Sequence, residues 1–420
     1  MLYYLVGIKG SGLCALAVAL KEQGHIVCGV DVEKHFYTEK GLDGIRLESF
    51  NHMKLKSCYF YIIGNAYVNH SVARYIMNMK FKYMTYPKFI AEYFKAYQFI
   101  SVCGSHGKTT TTKMITALVP EANYIIGDGS GSGKGREIFV LESCEYRNTF
   151  LNYTPDIALI LNIDYDHPDF FKTPKEYTAA FAEFSKKAKI VIANGDDIEV
   201  QKIKTERFIT YGLSSDNEVI FTYEVGERGM TITILGSTFY LPLLGKHYAY
   251  DFVGAYLAAK LLGREDKEIL ERAEKMILPK RRLETVNFNH FAAVHDYAHH
   301  PTEIKSVLES MRLTYPGYRI VGIFQPHTIS RSVSLKDSFK DALSGFDKML
   351  VMRIFTSVRE DINIAKEKDL FEEWGFPVLG REDIIHMKPE KNNVYVFMGA
   401  GDIDTVFHAF AEYQNISLNQ

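Results

Sequence analysis

Phe99-Ile-Ser-Val-Cys103, Gly104-Ser-His-Gly-Lys-Thr-Thr110 and Thr111-Thr-Lys-Met-Ile-Thr-Ala-Leu118 follow one another without a break. The first segment is apolar enough for a buried strand, and the last has helical periodicity. A glycine-rich turn between strand and helix is what a phosphate needs. Gly104 and Gly107 let backbone N–H groups of the loop, Ser105 and His106 included, approach the oxygens, and the helix N-terminus supplies partial positive charge. Lys108 would neutralise β- and γ-phosphates, Thr109 would offer a hydroxyl to Mg²⁺, and Thr110 completes the loop. The loop is shorter than GxxxxGK[ST], because Val102 stands where the first glycine would be.

Working outward, acidic residues recur where neighbouring strands end. Glu142 follows the run Ile138 to Leu141. Asn162, Asp164, Asp166 and His167 close or follow the run Ile157 to Asn162. In a parallel sheet these ends share one edge with the phosphate loop, and Mg²⁺ takes hard oxygen ligands. Glu142, with His167 beside it, is therefore the candidate metal ligand, whereas Asp164 and Asp169 read as loop residues and helix caps. Further strands are expected at Lys189 to Ala193 and, antiparallel, within Val219 to Leu241. Helices are expected at Pro174 to Ala188 and Asp251 to Leu262. Gly127 to Gly135 reads as a surface loop, since Gly135 follows Lys134 where a second phosphate loop needs Ser or Thr.

The same alternation of strand and helix runs on both sides of this block. Ahead of it, Leu2 to Gly7, a turn through Gly10, Ser11 and Gly12, a helix to Gln23 and a strand His25 to Val30 closed by Asp31 make a first unit ending near Tyr97. The turn is spaced GxxGxG, not the GxGxxG of dinucleotide folds, which speaks against a nicotinamide reductase. After Lys280-Arg281-Arg282 come strands at Phe288 to Val294, Arg319 to Phe324, Lys348 to Ile354 and Val394 to Met398. Polar residues gather at those strand ends: Asp296 to His300, His327 with Arg331, Arg359 with Glu360, and Gly399 to Asp402. That pattern describes a cleft for a small anion or zwitterion. The histidines lack the tight spacing of a zinc site.

The chain has 420 residues, 47% hydrophobic and 24% charged, with a net charge of -2. Such a chain makes about two to three soluble domains. Nothing in the charge points to nucleic acid or an anionic membrane, and no apolar run reaches the ~18–20 residues that span a bilayer. Five scattered cysteines without a CxxC pair suggest free thiols in a reducing compartment, hence a cytoplasmic protein. The apolar N-terminus lacks the basic flank of a signal peptide.

Six motifs occur in order: Gly104-Ser-His-Gly-Lys-Thr-Thr110, Glu142-Ser-Cys-Glu-Tyr-Arg147, Asn162-Ile-Asp-Tyr-Asp-His167, Asp296-Tyr-Ala-His-His-Pro-Thr-Glu303, Phe324-Gln-Pro-His327 and Gly399-Ala-Gly-Asp-Ile403. As an ordered set they resemble the Mur ligases over nearly the whole chain. The resemblance implies an α/β protein of three domains: a Rossmann-like UDP-substrate domain (1–97), a P-loop ATPase domain with a mostly parallel sheet (98–279) and a Rossmann-like C-terminal amino-acid domain (280–420). It implies ATP and Mg²⁺ as cofactors, UDP-N-acetylmuramate and L-alanine as partners, an acyl-phosphate intermediate, and a monomer or homodimer.

Residue roles follow from the same resemblance. Lys108, with metal on Thr109 and Glu142, would stabilise the transferring phosphoryl group, and His167 would hold a second metal. Arg282 would contact the γ-phosphate, and His247 and Asp251 the adenine. Gly7, Gly10, Ser11, Gly12 and Asp31 would meet the sugar nucleotide. Asp296, Tyr297, His299 and Arg331 match positions contacting nucleotide or amino acid; Arg331 suits the alanine carboxylate, and His299 or Asp296 the ammonium proton. The chain departs from its relatives at Lys9, Tyr248, Asp251, His295 and Thr328, and no lysine suited to a carbamate metal bridge follows His167. Two alternatives remain: a recycling ligase that attaches a whole peptide, and a nucleotide-binding regulator with a decayed site.

Overall fold

The computed structural model describes residues 1–33, 36–205, 207–355 and 364–418; Arg359 and Glu360 fall outside these. Three sheets are each built from one continuous stretch of chain, which gives three α/β domains. The first has five strands in the order Arg46–Ser49, Ile26–Asp31, Leu2–Val6, Phe60–Ile63 and Tyr83–Thr85, all parallel. Leu2–Val6 occupies the centre because its side chains are apolar on both faces; Tyr4, Leu5 and Val6 are wholly buried.

The middle sheet has ten strands. Gln98–Cys103 lies between Ile138–Glu142 and Ile157–Ile160, parallel to both. The chain therefore leaves this strand at a topological switch point, where the crevice beyond the strand ends is open to a ligand. Glu142 and the 162–167 segment end the two flanking strands, so they border the phosphate loop. Val219–Val225, Met230–Ile234 and Ser237–Leu241 form the expected antiparallel meander at the far edge.

The third sheet runs Glu284–Asn287, Phe291–Asp296, Asn393–Met398, Arg319–Phe324, Lys348–Met352 and Val378–Leu379. Only its first pair is antiparallel. The expected single strand Phe288 to Val294 is thus the turn and second arm of a hairpin, with Phe288 N–H donating to the Phe291 carbonyl at 3.0 Å.

The expectation of a surface loop at Gly127 to Gly135 is corrected. Gly131–Ser132 forms a short strand, and the segment lies flat on the helix Ser11–Glu22 of the first domain. A Cβ on Gly131 would run into the Ala15 carbonyl oxygen, and one on Gly133 into that of Ala19. Glu22 accepts from Gly133 N–H at 2.9 Å and from the Ser132 hydroxyl at 3.1 Å. The glycines are there for backbone-to-backbone approach between two domains. The helix expected from Asp251 begins earlier, spanning Lys246–Leu261, so His247 and Asp251 lie one turn apart on it.

Candidate active site

Gly104 (φ +143°) and Gly107 (φ +80°) take conformations that suit glycine, and a Cβ on Gly107 would meet Asp251 Oδ1 at 2.6 Å. Asn162 clamps the loop, its Oδ1 accepting from His106 N–H at 2.8 Å and its Nδ2 donating to the His106 carbonyl at 3.1 Å. The Ser105 hydroxyl donates to the Asp164 carbonyl at 2.7 Å. Thr110 is buried in the first turn of the helix Lys108–Leu118. That helix has no acidic residue of its own in its first turn.

Lys108 Nζ reaches the Ser105 carbonyl at 3.0 Å and Glu145 at 3.0 Å. Sequence reasoning quoted Glu145 within a motif but gave it no role. It is almost fully buried, and its other neighbour is His167 Nε2 at 3.4 Å. Burial raises its carboxyl pKa, but Lys108 and His167 more than reverse this and hold it below its ordinary value. Thr109 Oγ1 donates to Glu142 at 3.1 Å, and Gly127 N–H donates to the same carboxylate at 2.6 Å. Adjacent ligands in a Mg²⁺ octahedron stand about 2.9 Å apart, from metal–oxygen distances of about 2.0–2.1 Å. The Thr109–Glu142 pair fits that ion. His167 joins Glu145 rather than this pair.

The third domain closes on the loop through charged groups. His106 Nε2 lies 2.8 Å from Asp164, and its Nδ1 lies 3.4 Å from Glu303. His300 Nδ1 is 3.4 Å from Asp164. The donors of His106, Asp164 and His300 gather within 4.8 Å, an arrangement that a metal ion also uses. A shared proton would hold it equally: burial lowers the His106 pKa, yet hydrogen bonds to Asp164 and Glu303 carry it up to about 9. An imidazolium donates from both nitrogens and binds no metal. The contact is present in full below the ordinary pKa of 6.5 and is lost as pH rises through about 9. Stability is expected to fall between pH 7 and 9.5, and His106→Gln to flatten that slope in thermal unfolding. An unchanged slope would assign the titration to another group.

Arg331, expected at the alanine carboxylate, is engaged by the protein. Its Nε and Nη2 fork onto the two oxygens of Asp166 at 2.8 and 3.1 Å, with both side chains buried, so only Nη1 has no partner among the described residues. A small cavity of about 40 Å³ lies beside the pair, lined in part by His167, Asp169, His327 and Arg331. Asp296 is also committed: it accepts from Leu283 N–H at 3.0 Å and Ala298 N–H at 2.8 Å, and faces Arg282 at 3.6 Å. It braces Arg282 rather than reaching outward. His299 Nδ1 lies 3.0 Å from the Tyr297 carbonyl, which leaves Nε2 as the acceptor. Burial lowers its pKa to about 4, so the ring is neutral at pH 7.

Two further expected ligand residues are engaged within the protein. Asp251, expected at the adenine, lies against Gly107 beneath the phosphate loop, and burial pushes its carboxyl up to about 7. His247 packs on Tyr248 with ring centres 3.9 Å apart. Asp31, expected at a ribose, accepts from Lys9 N–H at 2.7 Å, Val32 N–H at 2.8 Å and the Tyr67 hydroxyl at 2.6 Å. It fixes the first-domain turn, and Tyr67 covers Gly7. Gly10 caps the helix Ser11–Glu22, and Gly12 leaves room for the Tyr86 hydroxyl.

The sequence and the fold are matched in known proteins. Residues 129–259 match the Mur ligase middle domain, and residues 281–401 the Mur ligase glutamate ligase domain. The UDP-N-acetylmuramate--L-alanine ligase of Streptococcus gordonii is 34% identical over 97% of this chain and 97% of its own. A solved UDP-N-acetylmuramate-alanine ligase from Thermotoga maritima superposes with a TM-score of 0.81 at 20% identity, covering 99% of this chain and 100% of that one. A murein peptide ligase from Psychrobacter arcticus superposes with a TM-score of 0.71 at 20% identity, covering 98% of each chain.

Proposed function

The chain belongs to the Mur ligase family of ATP-dependent ligases, and from that premise we propose that it joins L-alanine to the carboxylate of UDP-N-acetylmuramate. The observation that carries this reading is the convergence of three strand-end edges on one phosphate loop. His106 of that loop touches Glu303 of the third domain, and Tyr37 of the first domain reaches the Gly127 carbonyl of the middle one at 3.5 Å.

In the proposed reaction the sugar carboxylate attacks the γ-phosphorus, ADP leaves, and an acyl phosphate forms. The alanine amine then attacks the acyl carbon, inorganic phosphate leaves, and the ammonium proton passes to a base. Lys108 stands beside the loop, ready to exchange its contacts with the Ser105 carbonyl and Glu145 for phosphate oxygens. Mg²⁺, held by Thr109 and Glu142, would neutralise developing charge on those oxygens. Arg282, partly buried and braced by Asp296, would meet the γ-phosphate. Neutral His299 offers Nε2 as a proton acceptor. The third-domain contacts exclude water, which protects the acyl phosphate from hydrolysis.

The test is phosphate release with UDP-N-acetylmuramate, ATP and either L-alanine or a tripeptide. Turnover is expected with alanine. Preference for the tripeptide would favour the recycling reading, to which the fold match with a murein peptide ligase also corresponds.

A further inference from the structure

Two arginines sit at the meeting point of the domains, and they differ in how their Nε/Nη2 edges are satisfied. Arg331 gives that edge to Asp166, at 2.8 and 3.1 Å. Arg281 buries the same two nitrogens, and neither has a hydrogen-bond partner among the described residues.

The rest of Arg281 is held firmly. Its backbone takes φ +64°, rare for a residue with a side chain, and its carbonyl accepts from Tyr297 N–H at 2.8 Å. Its guanidinium carbon lies 4.6 Å from the ring centre of Tyr37, in the first domain, and 4.6 Å from that of Tyr297, in the third. Aromatic faces stabilise a cation, but they leave its in-plane N–H groups without an acceptor. Nearby carboxylates are engaged elsewhere: Asp296 with Arg282, Glu303 with His106, Glu142 with Thr109 and Gly127. Burying charged donors without an acceptor is unfavourable, and a planar carboxylate matches such an edge with two parallel hydrogen bonds.

We propose that the Nε/Nη2 edge of Arg281 receives a substrate carboxylate, and that Tyr37 and Tyr297 hold the guanidinium flat to meet it. This rests on the ligase reading, in which the sugar acid and the amino acid each carry one carboxylate. Where the Arg331 fork is filled by the protein itself, that of Arg281 is open and is framed by the first and third domains.

The experiment is steady-state kinetics on the full-length enzyme, varying each substrate in turn, for Arg281→Lys, Tyr37→Leu and Tyr37→Phe. Lysine keeps the charge and loses the fork. Its KM for one carboxylate substrate is expected to rise about ten- to a hundredfold, with the KM for ATP nearly unchanged. A shift for UDP-N-acetylmuramate identifies the sugar acid as the ligand; a shift for alanine identifies the amino acid. Tyr37 remains 41% exposed, so its replacement leaves the core intact. Tyr37→Leu is expected to raise the same KM several-fold, and Tyr37→Phe to restore it. If neither carboxylate KM moves, or if the KM for ATP moves as much, the proposal fails. A wild-type enzyme without alanine-dependent turnover would defeat the ligase reading instead. Calorimetry would then still test Arg281: tighter binding of UDP-N-acetylmuramate than of UDP-N-acetylglucosamine, which lacks the carboxylate, should disappear in Arg281→Lys, and no such loss would overturn the proposal.

Discussion

Lys108→Ala is expected to lower turnover by at least about 10²–10³-fold, the loss typical of removing one preorganised donor from a developing oxyanion. The sugar nucleotide should still bind with near wild-type affinity, because the first-domain turn around Gly10 and Asp31 is built without Lys108. The variant has a second consequence. Glu145, almost fully buried, loses its nearest cation and keeps only His167. Its proton affinity therefore rises, and Lys108→Ala/Glu145→Gln should be more stable than Lys108→Ala alone. Calorimetric binding and thermal unfolding check these outcomes. A parallel fall in sugar-nucleotide affinity would show that the loop and the first-domain turn form one site.

Asp166→Ala is expected to be the most destabilising change at the domain junction. Asp166 is 5% exposed and Arg331 6%, and they join residues 165 apart in sequence through two hydrogen bonds. Breaking a buried pair from one side leaves a charge without its partner, at about 3–5 kcal/mol. Turnover should fall with it, since the pair fastens the third domain beside His167. Replacing both residues, Asp166→Leu/Arg331→Met, removes the stranded charge and should recover part of the loss. A double-mutant cycle of thermal stability measures this, and strictly additive effects would show that the two side chains do not depend on each other.

The phosphate loop was legible because its chemistry is local: strand, glycines, lysine and helix all lie between Gln98 and Leu118. Glu142 was legible for the same reason, as the last residue of a neighbouring strand. Glu145, Glu303 and Asp166 were quoted inside motifs without roles, because a carboxylate is assigned by its partner and the partners lie far along the chain. Glu303 shows the effect. It caps the helix Pro301–Thr314 through His299 and His300 N–H groups while also meeting His106. The motif around it was visible; the histidine almost two hundred residues earlier that faces it was not. Asp31 and Asp251 went the other way. The resemblance matched both to ligand contacts; in the structure Asp31 is buried holding a turn and Asp251 is buried against Gly107 of the phosphate loop.

The glycine-lined strip at residues 131–133 bears on how this protein can be taken apart. Because it meets the helix Ser11–Glu22 main chain to main chain, and one apolar cluster runs on from the first sheet to the second, the front two thirds of the polypeptide behave as one chassis. The back third is joined at the site by reversible charge contacts and one short covalent bridge near Lys280. Attempts to isolate the pieces should therefore cut there, since severing the front from the middle would lay bare a ribbon of naked peptide groups.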